Sequence, residues 1–232
     1  MEILGTTINN FTREEIVKRV EVFLDEPSFH QIATINPEFL LEAEKNRYFH
    51  TILHNCDLRV VDGFGITLAL FFCGEKLRCR FPGADLMKEI LHIADQRNLS
   101  VYLAVRKDGL SSFDEVKNAI AEKYPAVHVY GESDVDSNDI KNCAIVFCNF
   151  GSPAQEIFLA QFRNQTSNIR IAMGVGGSFD YLTGRQTRAP RWLQRIGFEW
   201  FWRLLLHPRR WKRIWNAVVV FPFRVFFATM KK

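Results

Sequence analysis

The sequence predicts an α/β fold built on a largely parallel sheet. Three observations predict it: short apolar runs without strict polar alternation, helical patterns between those runs, and glycine, proline or cap residues where the runs close. Thr12 followed by Glu15 forms a capping-box pattern, after which Ile16, Val17, Val20, Phe23 and Leu24 recur at helical spacing. The runs QIATIN, LRVVD, SVYLAV, AVHVY, CAIVFCNF and IRIAMGV read as strands, and helices are predicted near 37–54, 66–74, 84–97, 111–124 and 153–163. Strands apolar on both faces need helices on both faces, so the expected core is a Rossmann-like sheet sandwiched between helices.

With 232 residues, 47% of them hydrophobic, the chain buries a sizeable core in one domain plus an appendage, which excludes a disordered chain. Charge places the division. Residues 185–232 hold 12 Lys/Arg against the single acid Glu199 and contain all five tryptophans, whereas the first 184 residues hold 18 basic and 25 acidic side chains. The expected organisation is a catalytic α/β core over 1–184 and a basic, aromatic helical appendage over 185–232. Trp192, Ile196, Trp200, Arg203 and Leu204 share a helical face there, and Trp211, Ile214 and Trp215 continue after Pro208. The apolar segment AVVVFPFRVFFA contains Pro222 and Arg224 and is shorter than the roughly 20 residues a span needs, so the tail should lie on an anionic membrane surface rather than cross it. Basic residues interleaved with Ile, Val, Leu and Phe favour lipid over nucleic acid. Five cysteines without a CxxC pair read as buried thiols in a reducing compartment. No basic-then-apolar leader opens MEILGTTINNFTREE, so a cytoplasmic location, peripheral at the inner face of the membrane, is expected.

Open α/β sheets bind ligands outside the carboxyl ends of their strands, and those ends carry the candidate chemistry. Asp62 closes LRVVD before Gly63 and Gly65, a place that suits a general base as well as a turn or cap aspartate. Asn36 before Pro37 has the form of an N-cap; with Thr34, two residues earlier on the same side of the strand, it also suits sugar hydroxyls. GSPAQE opens a helix whose free N–H groups favour an anion, and Gln155 within it shows no structural duty. GVGG follows IRIAM but lacks the full G-x-G-x-x-G spacing. Asp134-Val135-Asp136 has the spacing of a metal-holding acid pair but sits in the polar run ESDVDSNDIKN, which reads as a solvated loop. Six histidines show no HExxH, so no metal or other cofactor is expected. Arg185, Arg188, Arg203, Arg209, Arg210 and Arg213 suit phosphate oxygens or a lipid-facing surface.

Together, TINPEFL, VVDGFG, PGADLM, GSPAQE, GVGGSFD and RAPRWLQRIGFEWFWRLLLHPRRWKR resemble the WecG/TagA/CpsF glycosyltransferases from about Thr34 to about Arg213. The resemblance implies inverting, metal-independent transfer from a UDP-activated N-acetylmannosamine, uronic-acid or related sugar to an undecaprenyl-diphosphate-linked sugar. It gives Asp62 the base position and Thr34, Asn36 and Gln155 pocket positions, while Arg203, Arg209 and Arg213 would neutralise the departing diphosphate. Gly63, Gly83, Asp85, Glu156, Gly176 and Arg188, drawn from the same motifs, complete the expected substrate-binding set. Two segments depart from the usual pattern: RKDG follows SVYLAV, and Phe81-Pro82 precede Gly83 with Arg80 close by. The rival reading is a non-catalytic, nucleotide-responsive protein on the membrane surface, for which a base at Asp62 would have no use. Either reading leaves room for a homo-oligomer.

Overall fold

A computed structural model describes residues 1–131, 137–165, 167–206, 208 and 211–230, with all side chains among them except those of residues 137, 138, 191, 195, 203 and 213. A short antiparallel hairpin, β1 (Glu2–Ile3) and β2 (Thr6–Thr7), precedes α1 (Arg13–Asp25) and was not anticipated from the sequence, its strands being two residues each. Thr12 and Glu15 form the capping box at the start of α1 as expected. The main sheet comprises β3 (His30–Ile35), β4 (Leu58–Val61), β5 (Ser100–Ala104), β6 (His128–Tyr130), β7 (Ile145–Cys148) and β8 (Ile171–Gly174). Their order is β4-β3-β8-β7-β5-β6, and every neighbouring pair is parallel. All six strands therefore end on the same side of the sheet.

Strand alternation divides the core between the two faces. Ile145 and Phe147 of β7, with Val101 and Leu103 of β5, pack under α1, α5 (Gly83–Gln96), α6 (Phe113–Lys123) and α9 (Ser178–Leu182). Val146 and Cys148, with Tyr102 and Ala104, face α7 (Ser137–Asn142) and α8 (Ala154–Ala160) on the other side. That second face continues over β3 and β4, where Ala33, Ile35 and Val61 meet α2 (Pro37–Lys45), α3 (Arg47–Asn55) and α4 (Phe64–Phe72). The single helix expected near 37–54 is two helices, because Asn46 leaves helical geometry and its side chain caps α3 by accepting from the Phe49 N–H.

The tail is also subdivided. Helices α10 (Arg191–Arg195) and α11 (Glu199–Leu206) replace the continuous face expected from Trp192 to Leu204. Gly197 breaks it: it sits at φ +82°, and a Cβ there would run into the Phe64 ring, so only glycine allows this turn to lie against α4. Helix α12 (Trp211–Trp215), a π-turn (Asn216–Val220) and α13 (Phe221–Met230) follow as one helical path. In the π-turn the Phe221 N–H donates to Asn216 O, the wider register that accommodates Pro222, which has no N–H for the regular bond and would press on the preceding turn. Phe221 and Val225 are buried in the same cluster as Ile66, Ala69 and Leu70 of α4, so the end of the tail is packed into the core. No helix among the described residues is long and apolar enough to cross a membrane. Exposed rings include Trp211, Trp215, Phe223 and Phe227 on the tail and Phe71 and Phe72 on α4. All five cysteines are free thiols; Cys56, Cys143 and Cys148 are buried, Cys73 and Cys79 half-exposed.

Candidate active site

Residues following β3, β4, β5, β7 and β8 converge on one cleft of ≈ 480 Å³, where Thr34, Asn36, Asp62, Gln155, Gly176 and Arg188 meet. A parallel sheet brings this about: its strand ends and the N-termini of the following helices share one side, and those N-termini favour anions. A smaller cavity of ≈ 180 Å³ adjoins it, lined from the core by Asn36, Asp62, Gly63 and Arg80, and from the tail by Gly197, Trp200, Ile214 and Val218. Asn36, Glu38, Asp62 and Glu199 line both. Asp62 is held at this junction through its backbone, whose N–H continues the sheet by donating to Ile35 O at 2.9 Å.

Asn36 has the cap role its sequence suggests: Oδ1 accepts from the N–H groups of Glu38 (2.9 Å) and Phe39 (3.3 Å) while the residue lines the cleft. Gln155 differs from expectation. Far from being idle, it is buried, and its Oε1 accepts from the N–H groups of both Gly151 and Gly176 at 3.2 Å each, tying together the loops after β7 and β8. Asn149 makes a similar tie, its Oδ1 accepting from the Arg106 N–H at 2.6 Å, and Ser111 Oγ donates to Asp180 Oδ1 at 2.8 Å. The RKDG segment forms part of the cleft wall, with Arg106 paired to Asp108 at 2.5 Å.

Four expected contacts lie off the cleft. Glu156 is buried beneath it, and burial pushes its carboxyl up to about 7 against the opposing hydrogen bonds of Gln155, its own backbone and Ser152. Gly83 is buried behind Thr34, whose Oγ1 would stand 3.1 Å from a Cβ at that position. Gly63 faces the smaller cavity. Asp85 faces a third, cation-rich hollow and grips Arg188 with both carboxylate oxygens, one contact measuring 2.8 Å. Burial works to raise the Asp85 carboxyl, but the hydrogen bonds and charge of Arg188 outweigh it and hold it below the usual carboxylate range. Arg188 is fastened in its charged form chiefly by the Asp85 hydrogen bonds, against burial, with the charges of Asp85, Glu199 and Asp62 adding to them.

Arg203 lies on α11 and Arg213 on α12, but their side chains, like all of Arg209, fall outside what is described, as does the Asp134-Val135-Asp136 run. Among the described residues no group of three or more His, Cys, Asp or Glu is placed to hold a metal ion. Sequence reasoning missed Glu199 and gave Arg80 no role. Glu199 carried a signal, being the single acid in a strongly basic tail, and it is buried at the junction of the two cavities. Arg80 donates from Nη2 to Gln194 O at 2.7 Å, which fastens the core to the tail beside Asp62.

The arrangement therefore offers a carboxylate between two compartments, one walled by glycine loops and helix starts, the other partly by the tail. A protein of Bacillus subtilis (strain 168) named N-acetylglucosaminyldiphosphoundecaprenol N-acetyl-beta-D-mannosaminyltransferase is 32% identical over 202 residues, covering 83% of this chain and 77% of that protein. Proteins of the same name from Bacillus spizizenii (31% identical; 83% and 77% covered) and Staphylococcus aureus strain MRSA252 (28% identical; 100% and 94% covered) are also similar. The family described as glycosyl transferase WecG/TagA/CpsF matches residues 1–232. The chain thus belongs to the WecG/TagA/CpsF family of glycosyltransferases.

Proposed function

We propose that this glycosyltransferase moves N-acetylmannosamine, or a related N-acetyl or uronic sugar, from a UDP-sugar to N-acetylglucosamine carried on a polyprenyl diphosphate, with inversion and without a metal. The observation that carries this reading is that Asp62 lines both cavities. A direct displacement needs the acceptor hydroxyl on one side of the anomeric carbon and the diphosphate on the other. The larger cleft, with its glycine loops, suits the nucleotide; the smaller cavity, built partly by the tail, suits the acceptor sugar. Asp62 takes the proton of the acceptor hydroxyl, the oxygen attacks the anomeric carbon, and the bond to UDP breaks. The β-linked sugar in the relatives' name is the product that inversion of an α-linked UDP-sugar would give. Arg203, Arg209 and Arg213 are assigned to the diphosphate charge, where losing one preorganised donor costs on the order of 100-fold to 1,000-fold in rate.

A lipid-linked acceptor would bring the enzyme to a membrane surface, and we assign it to the inner face. The exposed rings of Trp211, Trp215, Phe223 and Phe227 on a basic tail, with Phe71 and Phe72 alongside on α4, suit the headgroup boundary. The test is a panel of UDP-sugars with a polyprenyl-diphosphate-N-acetylglucosamine acceptor in the presence of EDTA, following UDP release and the new glycolipid. UDP-N-acetylmannosamine should give both; turnover only after adding Mg²⁺ or Mn²⁺ would overturn the metal-free mechanism, and no turnover with any UDP-sugar would overturn the donor assignment.

A further inference from the structure

Glu156 is a buried carboxyl that the chemistry above does not use. It stands in the first turn of α8, 1% exposed, and its Oε1 accepts from Gln155 Nε2 at 2.6 Å. A side-chain amide presents an acceptor at one end and donors at the other, and its partners decide which way it points. The two glycine N–H groups that Gln155 holds require its oxygen. An ionised carboxylate accepts only, so it admits the NH₂ end of Gln155 and rejects the reversed amide, which would face oxygen with oxygen and N–H with N–H.

We propose that Glu156 is a positioning residue: an acceptor-only group beneath the cleft that sets the orientation of Gln155, and through it the shape of the two glycine loops that receive the nucleotide donor. The inference rests on the reading of the larger cleft as the donor site. Two features show the pair to be closely fitted. Gln31 Nε2 donates to Glu156 O at 3.0 Å, pinning the start of α8 to β3. Gly174 leaves room for both side chains, since a Cβ there would collide with Gln155 Nε2 and come within 2.6 Å of Glu156 Oε1.

The device is sensitive to protonation. Burial brings the Glu156 carboxyl up to about 7, while the thiols that face it, Cys148 of β7 and Cys56 after α3, are pushed up to about 12 and stay neutral. Beyond Cys56, Asp57 and Arg163 neutralise each other as an ion pair at 2.7 Å. A protonated Glu156 offers an O–H as well as acceptors, so the one-way constraint on Gln155 is lost as pH falls through neutrality.

The experiment measures amide hydrogen exchange at Gly151 and Gly176 in the full chain, together with the KM for UDP-N-acetylmannosamine, whose diphosphate diester has no group titrating near neutrality. Glu156→Gln removes the one-way constraint. It should speed exchange at both glycines by about 10-fold and raise the donor KM by a similar factor with kcat little changed. It should also flatten the dependence of that KM on pH between about 6 and 8. The paired exchange Gln155→Glu with Glu156→Gln restores an oxygen to the glycines and a donor to its partner, and should recover the protection. Wild-type exchange at both glycines in Glu156→Gln would overturn the proposal. If that variant does not fold, the wild-type protein decides, because protection of the two amides, corrected for intrinsic exchange, must fall from about pH 8 to about pH 6. A flat profile overturns the proposal. Loss of protection without any binding of UDP-N-acetylmannosamine would sink the donor assignment and leave the clamp standing.

Discussion

Arg188 and Asp85, 103 residues apart in the chain, form a two-pronged ion pair that fastens the start of the tail to α5. Their side chains are 16% and 31% exposed, so the pair is partly shielded, and breaking it leaves a charge in a poor environment. Arg188→Leu or Asp85→Asn should each cost about 2 kcal/mol in urea unfolding, less than a fully buried pair would. Arg188→Leu combined with Asp85→Asn should cost less than the two single changes together; strict additivity would show that the residues are not coupled. The Asp85 carboxyl is held below its ordinary value, so its contribution is present above the ordinary carboxylate range and is lost only as pH falls through the lowered value. Between about pH 8 and pH 5 the pair should hold.

Asp62→Asn keeps the shape of the junction between the two cavities but removes the proton acceptor. Transfer should fall by at least about 100-fold to 10,000-fold, with thermal unfolding and UDP-sugar binding close to wild type. Near-normal turnover by this variant would take Asp62 out of the mechanism.

The tail cannot be removed cleanly. The strand patterns are complete by Gly184, but Phe221 is fully buried with Val225 against α4, so deleting α13 should strip that face. Phe221→Ala should by itself destabilise the protein by about 3–5 kcal/mol. Trp211→Ser with Trp215→Ser changes rings that are 54% and 55% exposed, so folding should be unaffected while liposome binding and turnover of a long-chain lipid acceptor drop. A soluble short-chain acceptor should be turned over normally by that double variant and poorly by Arg203→Ala or Arg213→Ala. Full activity of both arginine variants on the soluble acceptor would reduce the tail to an anchor.

Burying Glu156 has a thermodynamic signature separate from its effect on the loops. Its carboxyl rises from 4.5 to about 7 in the fold, so the stability it contributes is full below about 4.5 and is lost as pH rises through 7. The loss amounts to about 3 kcal/mol above neutrality. Glu156→Gln does not titrate and should gain on the wild type by most of that amount between pH 5 and pH 8. A constant difference in unfolding free energy across that range would mean that Glu156 is ionised at an ordinary pKa.

The sequence by itself determined the parallel sheet, the helices covering both its faces and the strand ends that carry Thr34, Asn36, Asp62 and Gly176, because period, caps and glycines are local signals. It also showed a basic, tryptophan-rich tail, since composition needs no fold to be read. Only the tertiary structure decided what those residues share. It set Asp62 between two compartments, showed Gln155 in the cleft to be also the link between two loops, and withdrew Glu156 and Gly83 behind the cleft wall. Burial separates neighbours such as Gln155 and Glu156 by the direction each side chain takes, which spacing along the chain does not report. The tail's place was decided the same way: Arg188 meets Asp85, Gly197 meets Phe64 and Phe221 meets α4 across long stretches of sequence, and such contacts exist only once the sheet has brought their elements together.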